Sequence, residues 1–126
     1  MTPQSEAIAL ILEKLKVEED CAVTVSAMPP EGGITTEITG GESKSRSLNL
    51  QHGSADLTVL FLCKNKDQAV AFDTLNRIGN FFGRLKPIVG NTVQITGARV
   101  GSGTSLIGKE GDLYLYGLIA RIGIYF

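Results

Sequence analysis

The chain has 126 residues, which predicts a single domain over 1–126 with a substantial core, because chains of about 100 to 150 residues bury about two thirds of their unfolded surface. Twelve Lys plus Arg stand against thirteen Asp plus Glu, with a pI near 5.8, so there is no basic excess to neutralise phosphates, and a dedicated DNA or RNA binder is not expected. Cys21 and Cys63 lie far apart in apolar runs and His52 is the only histidine, which predicts two buried reduced thiols, a surface imidazole and no metal site.

The N-terminal stretch carries Glu6 early and lacks a basic start and an apolar run, and no window reaches the ~18 apolar residues of a membrane span. Folding in a cytoplasm is the expectation. Thr2 is a candidate N-cap, Pro3 suits the first helical position, and Ile8, Ile11, Leu12 and Leu15 recur at helical spacing, so an amphipathic helix runs to the acidic Glu18-Glu19-Asp20. Cys21, Val23, Val25 and Ala27 then alternate as one face of a strand, which Pro29-Pro30-Glu31-Gly32-Gly33 ends.

Residues 34–50 read as a polar hairpin arm, exposed and free to move, with Ile34, Thr36 and Ile38 alternating before a turn at Gly40-Gly41. Lys44 and Arg46 in this arm give it a solvated edge that discourages strand-to-strand aggregation. Residues 56–64, DLTVLFLCK, are apolar on both faces and predict a central strand. The clearest helix follows, with Asn65 as N-cap and Gln68 completing a capping box. Ala71, Leu75, Ile78, Phe82 and Leu85 mark its buried stripe, flanked by Phe72 and Phe81, and Pro87 stops it by Lys86.

A strand over 93–100 leads to a glycine-rich connection and a final strand over 112–126, in which Tyr114, Tyr116, Leu118, Ala120, Ile122, Ile124 and Phe126 share one face while Leu113, Leu115 and Ile119 make the other partly apolar. Such a strand is either central or meets another subunit on its outer face. The resulting fold class is α+β, with two helices packed on a mainly antiparallel sheet of about five or six strands.

The connection holds GTSLIGKE, residues 103–110, which is one residue away from the phosphate-cradling pattern G-x-x-x-x-G-K-[ST]. That pattern needs a helix behind it, to aim amides and a positive helix end at the phosphate, and a hydroxyl after the lysine for Mg²⁺. Here the hydroxyl position is Glu110 and a period-two strand follows, so no nucleotide cofactor is expected. Gly101, Gly103, Gly108 and Gly111 instead predict sharp reversals between two strands, and Leu106-Ile107 between them predicts an apolar plug into the core or into a neighbour. No nucleophile elbow or H-E-x-x-H motif is present, so the expectation is a non-enzyme with no catalytic, cofactor-binding or metal-binding residues.

The helix segment 71–78, AFDTLNRI, ending in Leu85-Lys86, together with Leu106-Ile107-Gly108-Lys109-Glu110-Gly111-Asp112 and a tyrosine-bearing last strand, resembles the minor capsid, tail-terminator-like proteins of tailed bacteriophages and prophages. The resemblance covers roughly residues 57–126. It implies a structural virion protein that forms a ring, commonly of six subunits, which caps the tail tube and joins it to the head. Its implied partners are other copies of itself, tail-tube subunits and head-connector proteins, with DNA passing through and no membrane. The assembly surface would be Leu106, Ile107, Leu113, Leu115 and Ile119, with Lys44 and Arg46 from the arm. The other reading is a host α+β module that binds a small ligand or protein between the sheet and the helix bearing Phe72, Phe81 and Phe82.

Overall fold

The computed structural model describes residues 3–25, 32–46 and 53–126. Two helices cover one face of a five-stranded antiparallel sheet, an α+β architecture. In chain order the elements are α1 (Pro3–Glu19), β1 (Gly33–Arg46), β2 (Gly53–Asn65), α2 (Gln68–Gly83), β3 (Ile88–Val89), β4 (Gln94–Glu110) and β5 (Leu113–Tyr125). The strands lie in the order β1-β2-β5-β4-β3, which puts β5 in the middle with β2 and β4 on either side.

Period two dictates which side of the central strands meets the helices. In β2, Ala55, Leu57, Val59, Phe61 and Cys63 are buried, and in β5 Tyr116, Leu118, Ala120, Ile122 and Ile124 are buried. Register keeps these on one face, with Phe61 opposite Leu118 and Val59 opposite Ala120. Onto that face α2 lays Ala71, Leu75, Ile78, Phe81 and Phe82, while α1 adds Ala7, Ile8, Ile11 and Leu15 to the same core. The Phe82 ring sits between Phe61, at 5.4 Å, and Phe81, at 5.3 Å, in tilted and edge-on geometries that aromatic pairs favour. Of the three rings named for the ligand-binding reading, Phe81 and Phe82 are buried in this core and Phe72 is 41% exposed.

Glu19 of α1 pairs with Arg84 beyond α2 at 2.5 Å, and Glu6 accepts from the Thr92 amide at 3.0 Å, which ties α1 to the turn between β3 and β4. The Thr2 cap expected for α1 lies outside the described residues.

Several boundaries differ from the sequence-based expectation. The segment expected to be a strand from Cys21 makes, among its described residues, a single parallel bridge between Thr24 and Thr35, and Val25 is 58% exposed. Cys21 itself is buried, its thiol donating to the Glu19 carbonyl at 3.5 Å, and Val23 packs partly buried against the core, so the alternation holds over this short stretch and ends before Val25.

The hairpin turn expected at Gly40-Gly41 is not formed. Both glycines stay inside β1, opposite Thr58 and Leu57, and the irregularities between Ile38 and Gly40 and between Ser43 and Ser45 are bulges in one long strand. At the start of β1, Gly32 has φ +100°, and a Cβ there would come within 2.5 Å of the Lys64 carbonyl oxygen, so glycine is required on two counts.

The connection around 101–110 is likewise strand. β4 runs through it, and register shifts between Val100 and Ser102, Ser102 and Ser105, and Leu106 and Gly108 absorb the surplus residues against β5. The reversal itself is confined to Gly111-Asp112, with Gly111 at φ +59°. α2 begins two residues beyond the expected cap: Asp67 accepts from the amides of Ala69, at 3.0 Å, and Val70, at 3.4 Å, while Asn65 accepts from the Asp67 amide at 2.8 Å. The two-residue strand β3 was not anticipated.

Candidate assembly surface

The two faces of the central strands are unequal. Opposite the helix-covered face, register aligns Leu60 with Ile119, Leu62 with Gly117 and Lys64 with Leu115. Leu60, Leu62, Leu113 and Leu115 are half-buried and Ile119 is 36% exposed. A sheet covered on one side should carry polar residues on its free side. This one carries an apolar stripe.

Ile107 completes the stripe. A Cβ placed on Gly117 would meet the Ile107 Cδ1 at 2.5 Å, with the Leu62 Cδ2 at 3.5 Å, so the Ile107 side chain lies across the gap that glycine leaves. Even so, Ile107 remains 54% exposed. Leu106, 53% exposed, is opposite Tyr116 and belongs to the other side of the sheet, where Tyr116 meets the edge of Phe72 at 5.8 Å and accepts a hydrogen bond from Gln68 at 2.6 Å. The expected Leu106-Ile107 plug is therefore divided between two faces by the period of a strand.

The charged ends of the stripe have their own partners. The buried Lys64 ammonium donates to the Glu110 carboxylate, and that contact holds the carboxyl below its ordinary range. Lys109 lies over the Tyr114 ring at 4.9 Å from its centre. Both charges of the near-miss phosphate motif are thus engaged along the β4–β5 ribbon, where the backbone is extended and no helix opens toward an anion.

At the other end, Arg99 of β4 and Arg121 of β5 stand directly opposite one another, and a Cβ on Gly101 would touch both the Arg121 stem and Ile119 at 3.5 to 3.6 Å. Like charges in direct cross-strand register are unfavourable, and among the described residues neither guanidinium has an acidic partner. Sequence reasoning passed over this pair because the two residues are 22 positions apart (121 − 99) and meet only through register.

Of the surface predicted from sequence, Ile107, Leu113, Leu115 and Ile119 are brought onto the β4–β5 ribbon, and Ile107 and Ile119 join Leu60 and Leu62 in the stripe. Lys44 and Arg46 are not brought to it: they lie where β1 meets Gly53 to Ala55, at the opposite end of β2 from Lys64, and their side chains are outside the described part. At about 3.3 Å per residue they are roughly 30 Å from the Lys64 end of the stripe and roughly 20 Å along the strand from Leu60. His52 also lies outside the described residues.

The chain matches no protein-family model, and no curated protein sequence matches it significantly.

Proposed function

We propose that the chain is a structural, non-enzymatic subunit that works by self-assembly, of the phage tail-terminator or minor-capsid kind. In this reading it closes a ring on the end of the tail tube and joins it to the head, first in the bacterial cytoplasm and then in the virion. The observation that supports the reading most is the apolar stripe on the uncovered face of the central strands, with Ile107 and Ile119 both exposed. A monomer gains nothing by leaving these side chains in water, whereas a neighbouring subunit buries them at about 25 cal/mol per Å². A cyclic, heterologous interface is the arrangement that closes such subunits into a ring. A formal net charge of −1 is compatible with DNA sliding through without being held.

Sedimentation velocity across a concentration series, combined with negative-stain microscopy, tests this. A concentration-dependent oligomer or ring is expected for the wild-type chain and a shift toward monomer for Ile107→Asp, which changes an exposed position and should leave the melting transition in place. Lys109→Ala should assemble like wild type. A chain that stays monomeric at every concentration and also fails to bind tail-tube subunits would sink the proposal.

A further inference from the structure

The helix side carries a second unpartnered patch, opposite in sign to the arginine pair. Leu10 and Val17 of α1 and Ile88 of β3 line a shallow groove rimmed by Glu13, Glu18 and Lys14. Val17 is 78% exposed there, and the single cation, Lys14, is already drawn to Glu18 at 3.9 Å. The groove is thus apolar at its floor with a net acidic rim. The uncovered sheet face is apolar along Ile107, Leu62, Ile119 and Leu60, with Arg99 and Arg121 at one end around a cleft that includes Thr96 and the backbone of Gly97 and Gly123. Asp56 also lines that cleft and has a partner of its own.

We infer that these two patches are the two halves of one head-to-tail contact, the arginine-ended stripe of one copy receiving the acidic α1–β3 groove of the next. Three observations favour a second copy of this chain as the occupant. Each patch has an apolar floor, their rims are opposite in charge, and they lie on opposite layers of the molecule, so one subunit cannot satisfy them by itself. Pairing stripe to stripe about a two-fold axis would bring four guanidiniums together with only the two Asp56 carboxylates of the clefts, each already partnered, among them, whereas pairing stripe to groove adds Glu13 and Glu18 opposite Arg99 and Arg121. A contact between different patches leaves one of each free at the ends of every intermediate. Growth therefore continues until a ring closes.

This inference rests on the assembly reading and specifies its interface. The test uses two charge-reversed versions of the full chain, Arg99→Glu/Arg121→Glu and Glu13→Arg/Glu18→Arg, each checked for a wild-type melting transition. Each version by itself presents patches of one sign, and its association should weaken at least tenfold in sedimentation velocity at low salt. Mixed in equal amounts, they should recover assembly, because the acidic stripe of one then meets the basic groove of the other and the remaining contact is native in sign. Three results would overturn the inference. Either version, folded, could assemble like wild type; the mixture of two folded versions could remain monomeric; or the arginine pair could instead prove to retain the monomer on a polyanionic resin while wild-type assembly is unaffected by its reversal. In the first and third cases wild-type assembly survives and only the interface is wrong. A wild type that never assembles by itself overturns this interface, and one that also fails to bind tail-tube subunits removes both readings.

Discussion

At the residue scale, the thiols show how burial converts into a pH dependence. Cys63 is 3% exposed, and burial pushes its thiol up to about 11, with Cys21 adding to the shift. Cys21 is also raised by burial, an effect that Arg77, donating to its sulfur at 3.4 Å, partly offsets. A raised folded value means that the folded state keeps the proton while the unfolded chain gives it up. The stabilisation is full below the ordinary thiol value near 9 and is lost as pH rises toward about 11. Urea midpoints should therefore fall across that window, by at most about 1.4 kcal/mol per pH unit for one thiol. Cys63→Ala should flatten the fall, and an unchanged slope in that variant would show that other groups cause it. That both cysteines would be buried was readable from their apolar neighbours, but the guanidinium beside Cys21 comes from α2 and was not.

At the scale of elements, boundaries were decided by what each segment found to pair with. Asn65 and Asp67 are both competent N-caps in sequence. Asn65 is held in β2 by its register with Tyr114, so the cap falls to Asp67. Asp67→Ala should then cost about 1 kcal/mol in urea unfolding, within the usual range of about 0.5 to 2 kcal/mol for a lost cap. If Asn65→Ala cost more than Asp67→Ala, that assignment would be reversed.

The same logic accounts for β1 and β4. Local propensity reads Gly40-Gly41 and the glycines of 101–108 as turns, yet a neighbouring strand with a long run of unpaired amides outweighs it. β4 supplies 17 residues against the 13 of β5, and the excess goes into bulges, where glycine loses least. The glycines mark real irregularities; their size, a bulge rather than a reversal, depended on the partner.

For the molecule as a whole, two layers meet around one aromatic centre, and stability should depend on it cooperatively. Phe82 is 1% exposed and touches both Phe61 and Phe81, so Phe82→Ala should cost about 3 to 5 kcal/mol in a single unfolding transition. Against a typical total of about 5 to 15 kcal/mol, that variant should be near the limit of folding, and a loss under 1 kcal/mol would place the core elsewhere. The amino-acid sequence by itself determined the two helices, the central position of β2, and the division of β5 into a buried face and a partly apolar one, because these follow from periods of 3.6 and 2 along a single segment. Only the tertiary structure decided that Ile107 covers Gly117 while Leu106 goes to the other side, that Arg99 faces Arg121, and that Lys44 and Arg46 lie at the opposite end of β2 from Lys64. Those facts depend on cross-strand register and on where bulges fall, and both are set by the pairing of strands distant in sequence.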